Sequence, residues 1–284
     1  MYITYSISDE GIGAQYQRII SLIALAKVHN FKYIHKKITV GHNYNNDPDW
    51  DDKWDNFFNI QLLSYDVEMN EMNEIIEMKK INNHSNNSIT NENDIINIST
   101  SKNKLFIIGP LHEIIDKDPN KYLKIIQDDI RKVYDEKNLN RKLYFFDKNK
   151  INIAIHIRVY NNHDGDEEIC FINNTDRYEF RDNDFITLIK SLKKIYENSD
   201  IHIFSQSSIY TRTIYKSIID FEDINLHIDT DPFDTFHHLC NADILVTAKS
   251  SFSYLAGIYN KNKVIYVPFR HSPLDNWESF NNYK

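Results

Sequence analysis

Cysteine is nearly absent from this sequence. Its two instances are Cys170 and Cys240, a count that excludes a disulfide scaffold and a cysteine-based zinc site and points to a reducing compartment. No apolar run approaches the length of a membrane helix, and Met1 to Asp9 lacks the basic and apolar regions of a signal peptide. A soluble, cytoplasmic chain with no membrane insertion is expected. An excess of positive charge is missing as well: 33 Lys plus Arg stand against 41 Asp plus Glu, a formal charge of -8. The surface as a whole does not suit nucleic acid or an anionic membrane, so any anion site has to be local. Only 6 glycines and 6 prolines occur beside abundant Asn, Ile and Lys, a bias read as AT-rich coding. The Asn-x-Ser/Thr triplets at Asn83, Asn86, Asn97 and Asn173 are read as products of that bias and not as glycosylation acceptors.

What is present is a globular chain. Its 284 residues are 41% hydrophobic and 13% aromatic, enough for a sizeable core in one large domain or two ordinary ones, despite a mean hydropathy of -0.55. Met1 to Ile7 reads as a strand, the Gly11 region as a turn, Ala14 to His29 as a helix and Phe31 to Ile34 as a second strand. Asn43 to Phe58 is acidic and carries tryptophan. Glu68 to Asn103 is a polar surface insertion, with a short helix expected near Asn70 to Lys80. A strand follows at Lys104 to Ile108, then an amphipathic helix over Tyr122 to Leu139, and a domain boundary is placed near Asn140 to Lys150. The second half alternates regularly. Strands are expected at Ile151–Arg158, Ile201–Ser205, Asn225–Ile228, Asp243–Thr247 and Lys263–Val267, the last closing the series. Helices are expected at Asp182–Glu197, Ser208–Phe221, Pro232–Cys240 and Ser251–Tyr259. Such alternation means right-handed crossovers and parallel sheets covered on both faces, with ligands at the carboxyl ends of the strands.

Those ends collect a restricted set of residues: Gly11, Gly13 and Gln15; His156 and Arg158; Ser205 and Gln206; Asp229 and Asp231; and Ser250, Ser251, Phe252 and Ser253. Helix amino ends and serine hydroxyls bind phosphate, and an arginine can grip a diphosphate with two prongs. Together they read as a nucleotide-diphosphate site. Singly, each has a plainer reading: a tight glycine turn, serines capping a helix, a packed histidine, an arginine paired with a structural carboxylate.

The order of these motifs resembles the superfamily of α-1,2-, α-1,6- and protein O-fucosyltransferases, most closely the α-1,2 type. Gly11-Ile12-Gly13-Ala14-Gln15 is similar to that family's Gly-x-Gly-Asn-Gln loop and Ile155-His156-Ile157-Arg158 to its His-x-Arg motif. Ile203-Phe204-Ser205 is similar to its Phe-Ser strand end, and Asp234 through Ala242-Asp243 to Ser250-Ser251-Phe252-Ser253-Tyr254 to its last motif. The resemblance covers the start of the chain and most of Asn152 to Pro268. It implies an α/β, GT-B-like fold: two Rossmann-like lobes with parallel sheets flanking a cleft. Residues 1–145 would form the acceptor-side lobe, with the insertion at about 68–103, and 146–284 the nucleotide-sugar-binding lobe. It further implies inverting transfer of fucose from GDP-fucose to a glycan hydroxyl with no cofactor or metal. Arg158 would bind the β-phosphate and stabilise the leaving diphosphate, and Asp234 would pair with guanine. Ser250, Ser251 and Phe252 would wrap the phosphates and nucleoside. The sequence departs from the pattern at Ala14, where the family has asparagine, at Asn161, where it has aspartate, and at Val159-Tyr160, which replace Arg-Gly.

These departures lie on the sugar side and keep a non-catalytic nucleotide- or glycan-binding module as one alternative. A second is a metal-dependent, GT-A-like sugar transferase using Asp229 and Asp231 to hold Mn²⁺ or Mg²⁺. For a general base, Asp9, Glu10 and the carboxylates of the run His163 to Glu168 are candidates by position, against the plainer reading of a solvated acidic loop.

Overall fold

β-Branched and aromatic residues make β1 (Tyr2–Tyr5), which is buried along its whole length, as a central strand of a parallel sheet has to be. The computed structural model describes residues 1–6, 10–39, 46–66, 74–78, 94–95, 103–158, 182–206 and 223–283. Several readings fall outside the described residues: Asp9, Val159 to Asn161, His163 to Glu168, Cys170, the helix over Ser208–Phe221, and the Asn83, Asn86, Asn97 and Asn173 triplets.

After β1, α1 (Ile12–His29) buries Tyr16, Ile19, Ile20, Leu22, Ile23 and Leu25. Asn30 closes it in the left-handed region at φ 57, which asparagine tolerates. β2 (Lys32–Tyr33) then pairs parallel with β1. The acidic, tryptophan-bearing stretch holds α2 (Trp50–Phe58), with Asp51 and Asp52 at its favourable amino end and Trp50, Trp54, Phe57 and Phe58 buried. The expected helix over Tyr122 to Leu139 is interrupted. Pro119 to Tyr122 forms one turn, started by the Asp118 side chain accepting from the Lys121 N–H, and a 3-10 turn at Lys124 to Ile126 precedes α3 (Gln127–Asn138). Two buried asparagines stitch α2 to α3: Asn59 Nδ2 donates to the Val133 carbonyl at 3.0 Å, and Asn138 Nδ2 to the Phe57 carbonyl at 2.8 Å.

The helix expected near Asn70 to Lys80 is corrected. Its centre is β3 (Glu74–Met78), paired parallel with β4 (Lys104–Ile108) from Glu74↔Lys104 to Met78↔Ile108. A short, weakly amphipathic helix is marginal by itself, whereas an edge position on β4 satisfies the backbone of a segment containing Ile75-Ile76. The sheet order is β2-β1-β4-β3, parallel throughout.

A second parallel sheet has the order β10-β9-β8-β5-β6-β7. Its strands are β5 (Ile151–His156), β6 (Ser199–Ser205), β7 (Ile224–Ile228), β8 (Ile244–Val246), β9 (Lys263–Tyr266) and β10 (Glu278–Ser279). β9 does not close the series as expected, because β10 adds an edge strand at Glu278↔Ile265 and Ser279↔Tyr266. The accompanying helices are α4 (Asp182–Ile195), α5 (Pro232–Asn241) and α6 (Ser251–Tyr259). Ile153, Ile155, Ile201, Ile203 and Val246 from the strands, with Ile157 just past β5, share one core with Leu188, Ile189 and Leu192 of α4.

The chain divides into two compact units: Met1–Asn140 with His271–Asp275, and Arg141–Arg270 with Asn276–Lys284. The returning segment is tied into the first unit by the buried His271, whose Nδ1 lies 3.0 Å from Asp116 Oδ2, and by the Asp275 N–H on Asn120 Oδ1 at 3.1 Å. No helix among the described residues is long and apolar enough to cross a membrane.

Candidate functional site

In the second unit three neighbouring strands, β8, β5 and β6, deliver most of the expected site at their carboxyl ends. Strand alternation selects the side chains. Ile153, Ile155 and Ile157 face the apolar core shared with α4, so Ala154, His156 and Arg158 belong to the opposite face. The Ile157 N–H donates to the Phe204 carbonyl at 2.9 Å, and Ser205 Oγ donates to the Ile157 carbonyl at 2.8 Å. Ser205 thus straps the end of β5 to β6. Arg158 Nη1 donates to Gln206 Oε1 at 2.8 Å, which sets the guanidinium beside the end of β6.

His156 is 8% exposed, and its Nδ1 has no hydrogen-bond partner among the described residues. Burial, and then the neighbouring Arg158 charge, pushes its pKa down to about 3. It is therefore a neutral imidazole across the physiological range, with a buried polar atom that a ligand could satisfy. Its ring lies 5.9 Å from that of Phe252, in the first turn of α6.

The turn into α6 uses its serines in distinct ways. Ser250 is the N-cap, its Oγ accepting from the Phe252 N–H at 3.3 Å. Ser253 is fully buried and accepts from the Ala248 N–H at 2.9 Å. Both hydroxyls hold the turn in shape. Ser251 Oγ accepts from Arg270 Nη2 at 3.1 Å, which brings a second guanidinium to this helix end. Arg270, which lies past the last long strand, has no motif around it in the sequence.

Asp234 lies in the first turn of α5. Asp231 is that helix's N-cap, its Oδ1 accepting from the Phe233 N–H at 2.9 Å and the Asp234 N–H at 3.1 Å, and Pro232 follows in the first turn. Asp229 adopts the left-handed conformation at φ 54. The Asp229 and Asp231 pair thus shapes a turn and a cap. The Asp234 carboxylate pairs with Arg141 through Oδ1 and accepts the Tyr144 hydroxyl on Oδ2 at 2.7 Å. Neither partner was singled out in the sequence, because both fall in the segment expected to be a boundary. The aromatic run Tyr144-Phe145-Phe146 was the available signal, since three such residues are unusual in a linker.

In the first unit Gly11 precedes α1 in extended conformation, and its carbonyl accepts from the Ala14 and Gln15 N–H groups at 3.1 and 3.2 Å. Gly13 is buried in the first turn. Gln15 is 1% exposed and its Nε2 donates to the Glu10 carbonyl at 3.1 Å and to the Thr39 carbonyl. It anchors the glycine loop from within. Its Oε1 is buried with no partner among the described residues, and Glu10 pairs with Arg18 at 2.6 Å.

The solved structure of POFUT1 in complex with GDP-fucose aligns with a TM-score of 0.52 and 11% identity over 94% of this chain and 97% of that one. POFUT1 in complex with GDP aligns with the same TM-score and 12% identity over 94% of this chain and 97% of that one. This chain has the fold of a fucosyltransferase. A mutant of Arabidopsis thaliana FUT1 in complex with GDP aligns at a TM-score of 0.48 and 13% identity, over 97% of this chain and 72% of that one. No family model and no curated protein sequence matches the chain. The α/β, parallel-sheet architecture and the resemblance drawn from the motifs agree with this fold.

Proposed function

We propose that this chain is a glycosyltransferase that moves fucose from GDP-fucose to a glycan hydroxyl with inversion and without a required metal. The observation that supports it best is the convergence, at the carboxyl ends of neighbouring strands, of Arg158, a buried His156 nitrogen with no partner among the described residues and the capped amino end of α6. An arginine, a neutral imidazole and helix N–H groups form a chemically coherent set for a diphosphate. Breaking the sugar–phosphate bond places negative charge on the departing diphosphate, and a cation fixed there acts where charge develops. Arg158 is the residue in that role. Gly11, Gly13, Gln15, Ser205, Gln206, Ser250 and Ser253 shape the loops, and Ser251 and Phe252 line the donor. The metal-dependent alternative gains no support from Asp231, whose Oδ1 serves as the cap of α5.

A thermal-shift panel of GDP, UDP, CMP and their sugars tests the reading. A ligand at 100 times its dissociation constant adds about 2.7 kcal/mol of stability, so GDP and GDP-fucose should raise the melting temperature most. A preference for UDP would remove the fucosyl assignment. GDP binding with neither transfer nor donor hydrolysis would leave the binding-module alternative that Ala14 suggests, and transfer abolished by EDTA would refute metal independence.

A further inference from the structure

We propose that Arg141 and Tyr144 are positioning residues for nucleobase recognition, fixing the Asp234 carboxylate so that it accepts two adjacent N–H groups of one purine edge. This rests on the reading of Asp234 as the guanine-pairing residue and adds the machinery that orients it.

An ionised carboxylate offers roughly four acceptor sites. Arg141 on Oδ1 and the Tyr144 hydroxyl on Oδ2 engage both oxygens, which restrains rotation of the carboxylate and leaves acceptor capacity on each. The Tyr144 pKa is pushed up to about 12, by burial first and then by the bond to Asp234, so the hydroxyl remains a donor at neutral pH. The segment that carries Tyr144 is itself held by the two residues after it. The Phe145 ring lies 3.9 Å from His227 and 4.8 Å from His238, and Phe146 lies 5.0 Å from His202. The Phe145 N–H donates to His238 Nε2 at 3.3 Å, and His238 Nδ1 donates to the Asp234 carbonyl at 2.7 Å. A closed circuit therefore runs from Asp234 through Tyr144, Phe145 and His238 back to Asp234. The Arg141 and Asp234 side chains are 32% and 22% exposed, and an ion pair so open to water adds little to stability. Orientation of the carboxylate accounts for the circuit better than a gain in stability does.

The test is calorimetric titration of GDP and of IDP, which lacks the 2-amino group, into the wild-type protein and the Tyr144→Phe, Arg141→Lys and Asp234→Asn variants. The wild type should favour GDP by about tenfold, the value of one further hydrogen bond to a charged acceptor. Asp234→Asn should abolish the preference. Tyr144→Phe and Arg141→Lys should each reduce it by roughly threefold or more, since a freed carboxylate forfeits part of that bond. Each ratio is taken within one variant, so a loss of folded protein cancels. If Asp234→Asn abolishes the preference while the other two variants keep the wild-type ratio, the positioning role is overturned and the base-pairing reading stands. If Asp234→Asn retains the preference, the base-pairing reading fails and this proposal fails with it. Tighter GDP binding by Tyr144→Phe would make the tyrosine a competitor for the carboxylate and would also overturn it.

Discussion

At the end of β5, alternation decides which side chains can meet a ligand, and Arg158 follows His156 on the face opposite Ile155 and Ile157. Its bond to Gln206 Oε1 at 2.8 Å aims a planar guanidinium that a lysine cannot imitate. On the proposed function, Arg158→Lys retains the charge but loses the two-pronged geometry. GDP affinity should fall modestly while turnover drops about 100-fold or more, as for other single stabilisers of transition-state charge. Titration and steady-state rates on the same preparation check this, and unchanged turnover would remove Arg158 from the chemistry. The sequence made Arg158, His156 and the α6 serines legible because strand ends in a parallel sheet are where ligands gather. It did not separate Ser250 and Ser253, which serve the turn, from Ser251, which meets Arg270. Nor could it pair Asp234 with Arg141 and Tyr144, which lie 93 and 90 residues away along the chain.

Among the elements, α6 is tightly packed at Gly257, where an added Cβ would sit 2.9 Å from the Trp277 ring. Trp277 is buried and packs edge-on against Tyr254 at 5.2 Å, so the ring has little room to yield. Gly257→Ala should destabilise the protein by about 1–3 kcal/mol through overpacking, despite alanine's better helix propensity. Urea denaturation reads the change, and a stabilised variant would contradict it. A second element-level effect concerns β6 and β7. His202 and His227 face each other with Nδ1 and Nε2 3.0 Å apart, and burial pushes both pKa values down to about 4 from 6.5. The unfolded chain takes up these protons first as pH falls, so stability is complete above about pH 6.5 and declines toward pH 4. The slope is at most about 1.4 kcal/mol per pH unit for each histidine. Urea midpoints measured from pH 7 to pH 4.5 should fall steadily, and His227→Phe should flatten the trend. The apolar, buried strands β5, β6, β8 and β9 were readable nearly to their ends from composition alone. β3 and β10 were not, because each is an edge strand defined by what it pairs with: β4 for one, β9 for the other.

For the whole molecule, alternation of strands and helices made the parallel α/β class legible, and the order of the motifs made the fucosyltransferase fold legible. The itinerary of the chain between its units was not. A division at Asn140 leaves the first unit short of His271 to Asp275, the segment that reaches Asp116 and Asn120. That segment is encoded after β9, when all but one strand of the second sheet have already been written. A polypeptide emerging from its amino end can therefore assemble most of the second unit before the first receives its final piece. The order of synthesis and the order of completion run in opposite directions: the unit begun first is the one that must wait.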